Sequence, residues 1–271
     1  MMNDNNRKPS YWDHVAKKIA GEQYFDELLA EQYRRVHLDL LAKWAVVTAS
    51  NSVLKTDLFA EAMCPSRSFM WGMLGNMGNV IGIDISAEIC FKAKINTAHY
   101  APDSLVKYIT CDVRQLPFAS NSFDLIISDS TLDHFGHKSE IFTALSELTR
   151  VLKPGGTLII TMDNRGNLTE PLFRLWIRLG LAPFYIGETY SIGKLKQALT
   201  QAGLRIMDTT AIIHNPRFFT KLIVTILRRI EPTRFNGLIN KLLYLLDSLE
   251  NRKTRYLTAQ FIAAKAVKPA I

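Results

Sequence analysis

The chain is poor in cysteine and has no long apolar run. Cys64, Cys90 and Cys111 are an odd set with no metal-ligand spacing. They offer no disulfide framework, and buried, reduced thiols in a cytoplasmic protein are the expectation. No apolar stretch reaches the ~18 residues needed to cross a bilayer. The N-terminus, Met1 to Ser10, is polar without an apolar signal core, so a loose tail and no secretion are expected. His14, His37, His137 and His214 form no ligand spacing, and no metal is expected. No Gly-x-Gly-x-x-Gly follows a strand and opens a helix, as dinucleotide binding would require. Gly72, Gly75, Gly78 and Gly82 precede a strand and read as a turn. Repeats and low-complexity stretches are absent. What remains is an ordinary globular balance, 48% hydrophobic and 21% charged. The net charge of +8 is uneven: between residues 214 and 256 the only acids are Glu231, Asp247 and Glu250, facing a run of arginines and lysines from Arg217 to Arg255.

The apolar pattern alternates between strand and helix. Leu29, Val36, Leu40 and Trp44 have helical spacing within Phe25 to Trp44, and Tyr11-Trp12 opens an earlier short helix. Strands are expected at Ser52–Phe59, Asn79–Asp84, Leu105–Cys111, Phe123–Ser128, Thr157–Met162, Leu204–Ile213 and Tyr256–Ala266. Helices are expected at Arg67–Leu74, from Ser86 toward Thr97, and at Lys138–Leu152, where Ile141, Leu145, Leu148 and Leu152 share a face. Pro154-Gly155-Gly156 is read as the end of that last helix. Further helices are expected at Pro171–Gly180, Ser191–Ala202, Pro216–Ile230 and Asn236–Leu249. Strands alternating with helices predict a three-layer, doubly wound α/β fold. Its sheet should have seven mostly parallel strands with right-handed crossovers and an antiparallel terminal strand. Residues 1–47 are assigned to an N-terminal tail and helical lid, and 48–271 to the main domain, with helical insertions at 165–190 and 214–252.

Two short apolar runs end on an aspartate: Val80-Ile-Gly-Ile-Asp84 and Tyr108-Ile-Thr-Cys-Asp112. Carboxylates at the carboxyl ends of parallel strands sit where open α/β sheets bind ligands. With Ser122-Phe-Asp124-Leu-Ile-Ile-Ser128 and Leu148-Thr-Arg-Val-Leu-Lys-Pro154-Gly-Gly156, in this order and at these separations, the chain resembles the class I, seven-strand methyltransferases dependent on S-adenosylmethionine (SAM). The resemblance implies that Asp84 accepts from the ribose hydroxyls of SAM and Asp112 from the adenine amine. Ile85 and the Val113 amide would lie beside them, and Asp129 and Ser130 at the loop after the fourth strand. The other reading of each aspartate is a helix cap or turn residue.

The chain departs from this family after its first strand. Asp57, Phe59 and Glu61 stand where the family has glycines that let backbone amides approach the methionine end of SAM. They are expected to border that end, where a carboxylate can pair with the ammonium but crowds the site. Cofactor binding is therefore either remodelled or lost, and retention of both nucleoside-gripping aspartates favours remodelling. In Ser128 to Phe135, His134 is a candidate general base and Asp133 its orienting partner. Packing of His134 against the cofactor is the equal alternative.

The insertion after the fifth strand supplies Phe173, Trp176, Phe184, Tyr185 and Tyr190. Trp176, Tyr185 and Tyr190 are candidates to hold an apolar or planar small acceptor; filling of extra core is the alternative. The basic helices in 216–252 suit an anionic membrane surface or an acidic substrate, or form a solvated face. Nucleic acid is not expected, since no recognised binding module appears. The reading is SAM-dependent methylation of a small, apolar or lipid-like acceptor. Its rival is a non-catalytic relative that keeps the fold for binding or scaffolding.

Overall fold

The structure, a computed structural model, describes residues 9–19, 26–46, 48, 50–74, 78–179, 185–231 and 233–270; the side chains of 18, 19 and 218 are left aside. Two helices lead the chain, α1 (Pro9–Ile19) and α2 (Glu27–Trp44), followed by β1 (Ser52–Thr56) and two short helices, α3 (Phe59–Met63) and α4 (Met70–Leu74). Next come β2 (Asn79–Asp84), α5 (Ala87–Tyr100), β3 (Val106–Thr110), β4 (Phe123–Asp129), α6 (Lys138–Val151) and β5 (Leu152–Asp163). The remainder is α7 (Glu170–Arg178), α8 (Ile192–Gln201), β6 (Arg205–Ile212), α9 (Arg217–Ile230), α10 (Asn236–Asp247), α11 (Arg255–Thr258) and β7 (Phe261–Val267).

The strands form one sheet in the order β3-β2-β1-β4-β5-β7-β6. All run parallel except β7, which is antiparallel to both neighbours. This is the expected seven-stranded α/β sheet. Central strands are buried on both faces, which is why they read as unbroken apolar runs. Successive residues still go to opposite layers. Ile126, Leu158 and Ile160 join a core with Leu145 and Leu148 of α6 and Leu195 and Leu199 of α8. Leu125, Ile127 and Ile159 join Tyr33, Val36 and Leu40 of α2 on the other side.

Local signals hold at α5, where the Ser86 side chain accepts from the Ile89 amide as N-cap. The expectations fail where tertiary pairing competes. Pro154-Gly155-Gly156 does not cap α6, which ends at Leu152 with its amide on the Leu148 carbonyl. The three residues are instead the start of β5, with Gly155 at φ 77° and its amide bonded to the Lys268 carbonyl at 2.8 Å. The terminal strand begins at Phe261, not Tyr256, because Arg255 to Thr258 turn once as α11. β1 stops at Thr56, short of the expected Phe59. Only Met70 to Leu74 of the helix expected from Arg67 is α-helical.

Lys55 sits in the middle of this apolar sheet, 2% exposed, between Gly82 of β2 and Ile127 of β4. Its ammonium meets Glu61 Oε2 at 3.0 Å and also donates to the Asp57 carbonyl. Glu61 Oε1 accepts from the Ser68 hydroxyl at 2.7 Å. Burial opposes the charge on Lys55, but the carboxylates of Glu61, Asp57 and Asp129 outweigh it and its pKa is raised. A buried pair of this kind is costly to break and cheap to replace as a unit. Lys55→Met is expected to lower the unfolding free energy by about 3–5 kcal/mol. Lys55→Met combined with Glu61→Leu should recover most of that loss. Urea titrations followed by circular dichroism compare the two; a single variant as stable as wild type would show that the pair is not needed.

Candidate active site

Parallel pairing brings the carboxyl ends of β1 to β5 to one edge of the sheet. There Asp57, Asp84, Asp112, Asp129 and Asp163 all line one cavity of about 820 Å³, a size suited to small-molecule ligands. Asp84 ends β2. Its Oδ2 accepts the Leu58 amide at 3.0 Å and its Oδ1 the Ser86 amide at 2.9 Å. Both oxygens are thereby fixed, and each keeps lone-pair capacity for a ligand. Burial pushes the carboxyl up to about 6, against the pull of the two amides, Lys55 and His134. The Asp84 carbonyl accepts the Cys111 amide at 3.0 Å, so the ends of β2 and β3 are bonded neighbours, with Asp112 one residue on.

The expected glycine position after β1 keeps a glycine-like backbone. Asp57 has φ 65°, in the left-handed region that aspartate tolerates better than most residues. Its Oδ1 accepts the Phe59 amide at 2.8 Å, folding the side chain over its own turn. Burial and the charge of Asp84 together hold its carboxyl well above the usual carboxylate range. Phe59 and Ile85 also line the cavity. Glu61 does not: it is fully buried against Lys55 and Ser68. A cofactor role for Glu61 is corrected on that ground, because its charge is already matched inside the protein.

Asp112 is gripped by a neighbour. Arg114 donates from Nε to both oxygens at 3.0 Å and from Nη2 to Oδ2 at 2.5 Å, and reaches Glu140 Oε1 from Nη1 at 2.5 Å. The same guanidinium lies 5.0 Å over the Phe135 ring. The carboxylate is therefore oriented by Arg114, a partner two residues along that the motif did not disclose. Val113 is buried in the wall beside it.

Asp129 ends β4 and ties down the roof. The Tyr33 hydroxyl donates to its Oδ2 at 2.6 Å, and His37 Nε2 and the Thr161 hydroxyl meet its Oδ1 at 3.1 and 2.6 Å. His37 stacks between Tyr33 and Phe69. Burial opposes the charge on Asp129, but His37, Lys55 and Thr161 prevail and hold its carboxyl far below the usual range. Asp129 thus fastens α2 across the cavity, and its lone pairs are largely committed within the protein. Ser130, at φ 47°, also lines the cavity.

Adjacent side chains of the following loop diverge. His134 lines the cavity, with Nδ1 2.8 Å from the Tyr185 carbonyl and the Trp12 ring edge-on at 4.7 Å. A carbonyl only accepts, so the neutral ring places its proton on Nδ1 and its lone pair on Nε2. Asp133 does not line the cavity. It is fully buried, and its Oδ2 accepts from the Ser130 hydroxyl at 2.8 Å and the Asp163 amide at 2.7 Å. It braces the loop against β5, and the partner at His134 Nδ1 is the Tyr185 carbonyl. The Asp133 carbonyl accepts the Gly187 amide at 2.7 Å. A Cβ on Gly187 would lie 2.0 Å from the Phe135 carbonyl oxygen, so only glycine allows this approach.

Trp176, Tyr185 and Tyr190 do not line the cavity. Tyr190 is 6% exposed in the core beside α6 and α8. Tyr185 acts through its backbone, with its carbonyl on His134 and its amide on the Tyr11 hydroxyl at 2.9 Å. Trp176 is half-buried on α7. Phe184 lies outside the described residues. The inserted segment therefore supports the cavity from behind. Trp12, Tyr33 and Arg67 line it without any motif to mark them, since helical spacing does not say what a helix will cover. Arg217, Lys221 and Arg228 of α9 line it as well; their charge was legible, but their direction was not.

This wall suits a cationic nucleoside. Asp57, Asp84 and Asp112 supply acceptors and negative charge, while Ile83, Ile85 and Val113 supply apolar surface for a ring between them. Residues 64–160 match the family described as "Methyltransferase domain". The chain is 27% identical to a 2-phytyl-1,4-naphtoquinone methyltransferase of Nostoc punctiforme over 64% of its own length and 71% of that protein. It is 34% identical to a demethylmenaquinone methyltransferase of Staphylococcus aureus over 37% of its length and 39% of that protein. In fold it is similar to a geranyl diphosphate C-methyltransferase of Streptomyces coelicolor, with TM-score 0.59, 12% identity, and coverage of 93% and 87% of the two chains. Strand order, acidic strand ends and the domain match over residues 64–160 agree with one another, and in each the chain is similar to the class I SAM-dependent methyltransferases, whose cofactor is S-adenosylmethionine.

Proposed function

We propose that the protein methylates a small, apolar or lipid-like acceptor that enters the cavity between α2 and α9. The observation that carries this reading is that Asp57, Asp84, Asp112 and His134 share one cavity that Leu28, Leu29 and Val224 also line. SAM supplies a methyl group on a sulfonium that is its own leaving group. Positioning can therefore provide much of the rate. Asp84 would hold the ribose hydroxyls, its oxygens already set by two amides. Asp112, steadied by Arg114, would accept from the adenine amine, with Val113 against the ring. Asp57 lies where a carboxylate can meet the ammonium of the methionine end. His134 would take a proton from an acceptor O–H or N–H.

Peripheral contact with an anionic membrane is part of the same proposal. Along α9, Phe219, Leu222, Ile223, Ile226 and Ile230 recur at helical spacing and are 45–66% exposed. Leu238, Leu242 and Leu245 do the same on α10, and Leu172, Leu175 and the C-cap Leu179 are exposed at α7. Arg229, Arg234, Lys241 and Lys253 are exposed around them. Apolar stripes flanked by cations suit the boundary between headgroups and acyl chains. No helix among the described residues is long and apolar enough to cross a membrane.

Calorimetry with SAM and its demethylated product tests the cofactor site. Asp84 keeps its proton up to about pH 6, and a charged acceptor is what hydroxyl donors and a cation require. Affinity for SAM should therefore fall as the pH drops below 6, by up to about tenfold per unit. At pH 6, binding should release protons. Asp84→Asn should weaken binding by about 1–3 kcal/mol and remove most of this dependence. Absence of heat from either compound, with the protein shown to be folded, would sink the reading. For the membrane, vesicles rich in phosphatidylglycerol should float the protein, neutral ones much less. Ile223→Asp with Ile226→Asp should abolish flotation; a variant that floats unchanged counts against contact through α9.

A further inference from the structure

The helix α9 is amphipathic in the inverted sense. Phe219, Leu222, Ile223, Ile226 and Ile230 face outward, while Arg217, Lys221, Val224, Thr225 and Arg228, spaced four, three, one and three apart, line the cavity. Burial of apolar area alone would turn this helix the other way. Charge on the inner face needs a reason within the cavity. Two of the cations are held in place. Arg217 donates from Nη2 to Asp163 Oδ1 at 2.5 Å and from Nε to Gln260 Oε1 at 2.9 Å, and lies 4.5 Å over the Phe173 ring and 5.1 Å over that of Phe261. Those bonds use two of five N–H donors. Arg228 donates from Nε to Asp26 Oδ2 at 2.8 Å and from Nη1 to Asn236 Oδ1 at 2.5 Å. Lys221 lies one helical turn from Arg217, on the same cavity-lining face.

The two ends of the cavity therefore differ in sign of charge. The sheet edge carries Asp57, Asp84, Asp112 and Asp129; the α9 end carries Arg217, Lys221, Arg228 and Arg229, faced by Asp26, Glu27 and Asp163. A cationic cofactor suits the first end and an anion the second. Leu28, Leu29, Ile213 and Phe261 line the same cavity and give it apolar surface.

We infer that the inner face of α9 is a subsite for an anionic group, a carboxylate or phosphate, on an acceptor with an apolar body. This rests on the proposed methyl transfer and names the class of its substrate. Arginines fixed by carboxylates keep their planar donors aligned, so little side-chain freedom is lost when the anion arrives. The acid would anchor one end of the acceptor while the apolar body spans toward His134.

The test uses the full chain saturated with the demethylated cofactor, whose own binding is measured first in each sample. Dodecanoate, dodecyl phosphate and dodecanol, kept below their aggregation limits, are then titrated by following tryptophan fluorescence. Both anions should bind at least about tenfold more tightly than the alcohol, and this preference should shrink in high salt. Lys221→Glu and, separately, Arg217→Gln should reduce the preference several-fold while leaving cofactor affinity unchanged. Lys221 is exposed, so its variant retains the fold if the arginine variant does not. Competition by octyl phosphate in solution marks a free acceptor. Competition only from vesicles containing phosphatidic acid marks a lipid one. Equal binding of acid and alcohol, or competition from neither source, overturns the subsite. Failure of the cofactor itself to bind overturns the methyltransferase reading instead.

Discussion

A single buried carboxylate organises the space above the sheet. Asp129 lies at the tip of the central strand β4, where an unpaired charge would be intolerable. It is satisfied by Tyr33 and His37 from α2 and by Thr161 from β5. Because two of those partners belong to one helix, satisfying the charge also fixes where α2 runs. The helix is thereby placed over the carboxyl edge of the sheet, and the gap beneath it is the cavity. Lys55 and Glu61 perform the same kind of matching one strand away, in the floor.

Matching is complete in some places and incomplete in others, and the difference locates function. Glu61 and Asp129 have charges and lone pairs taken up by the protein and serve as braces. Asp84 and Asp57 are held by backbone amides, which orient the oxygens without supplying a full counter-charge. Their carboxyls accordingly sit above the usual range, from burial first and, for Asp57, from the charge of its neighbour. Amide-held carboxyls of this kind leave room for a cationic ligand to supply the counter-charge. Electrostatic preorganisation of this sort has a stability cost, as binding sites commonly do.

The α9 and α10 region completes the enclosure by an unusual orientation. Apolar stripes face out and cations face in, so the helix contributes little to the main core. A small satellite of Val224, Ile239 and Leu243 packed against Leu28 and Leu29 connects it to α2. The roof is thus two helices deep, and its outer surface has the character of an interface.

Much of the fold was legible because parallel, doubly covered strands and amphipathic helices write their periods into sequence. Asn79–Asp84 was located to the residue, and Ser86 announced the helix it caps. The errors fell where a short signal has two uses. Pro154-Gly155-Gly156 both ends a helix and opens a strand, and only pairing with the C-terminal segment selects the second. The candidate site was legible to the same depth. Strand-end aspartates are placed by local sequence, since a strand's carboxyl end is fixed once the strand is. Local sequence does not fix which way the side chain after a turn will face. Adjacent Asp133 and His134 take different partners, Arg114 meets Asp112, and Tyr190 of the insertion turns to the core. The sequence by itself determined seven strands, their crossovers and an acidic edge, because periodicity and chain direction are local properties. Tertiary structure alone decided the roof, the inward cations of α9 and the partners of each buried charge, because those depend on contacts between residues as much as two hundred positions apart, as Asp26 and Arg228 are.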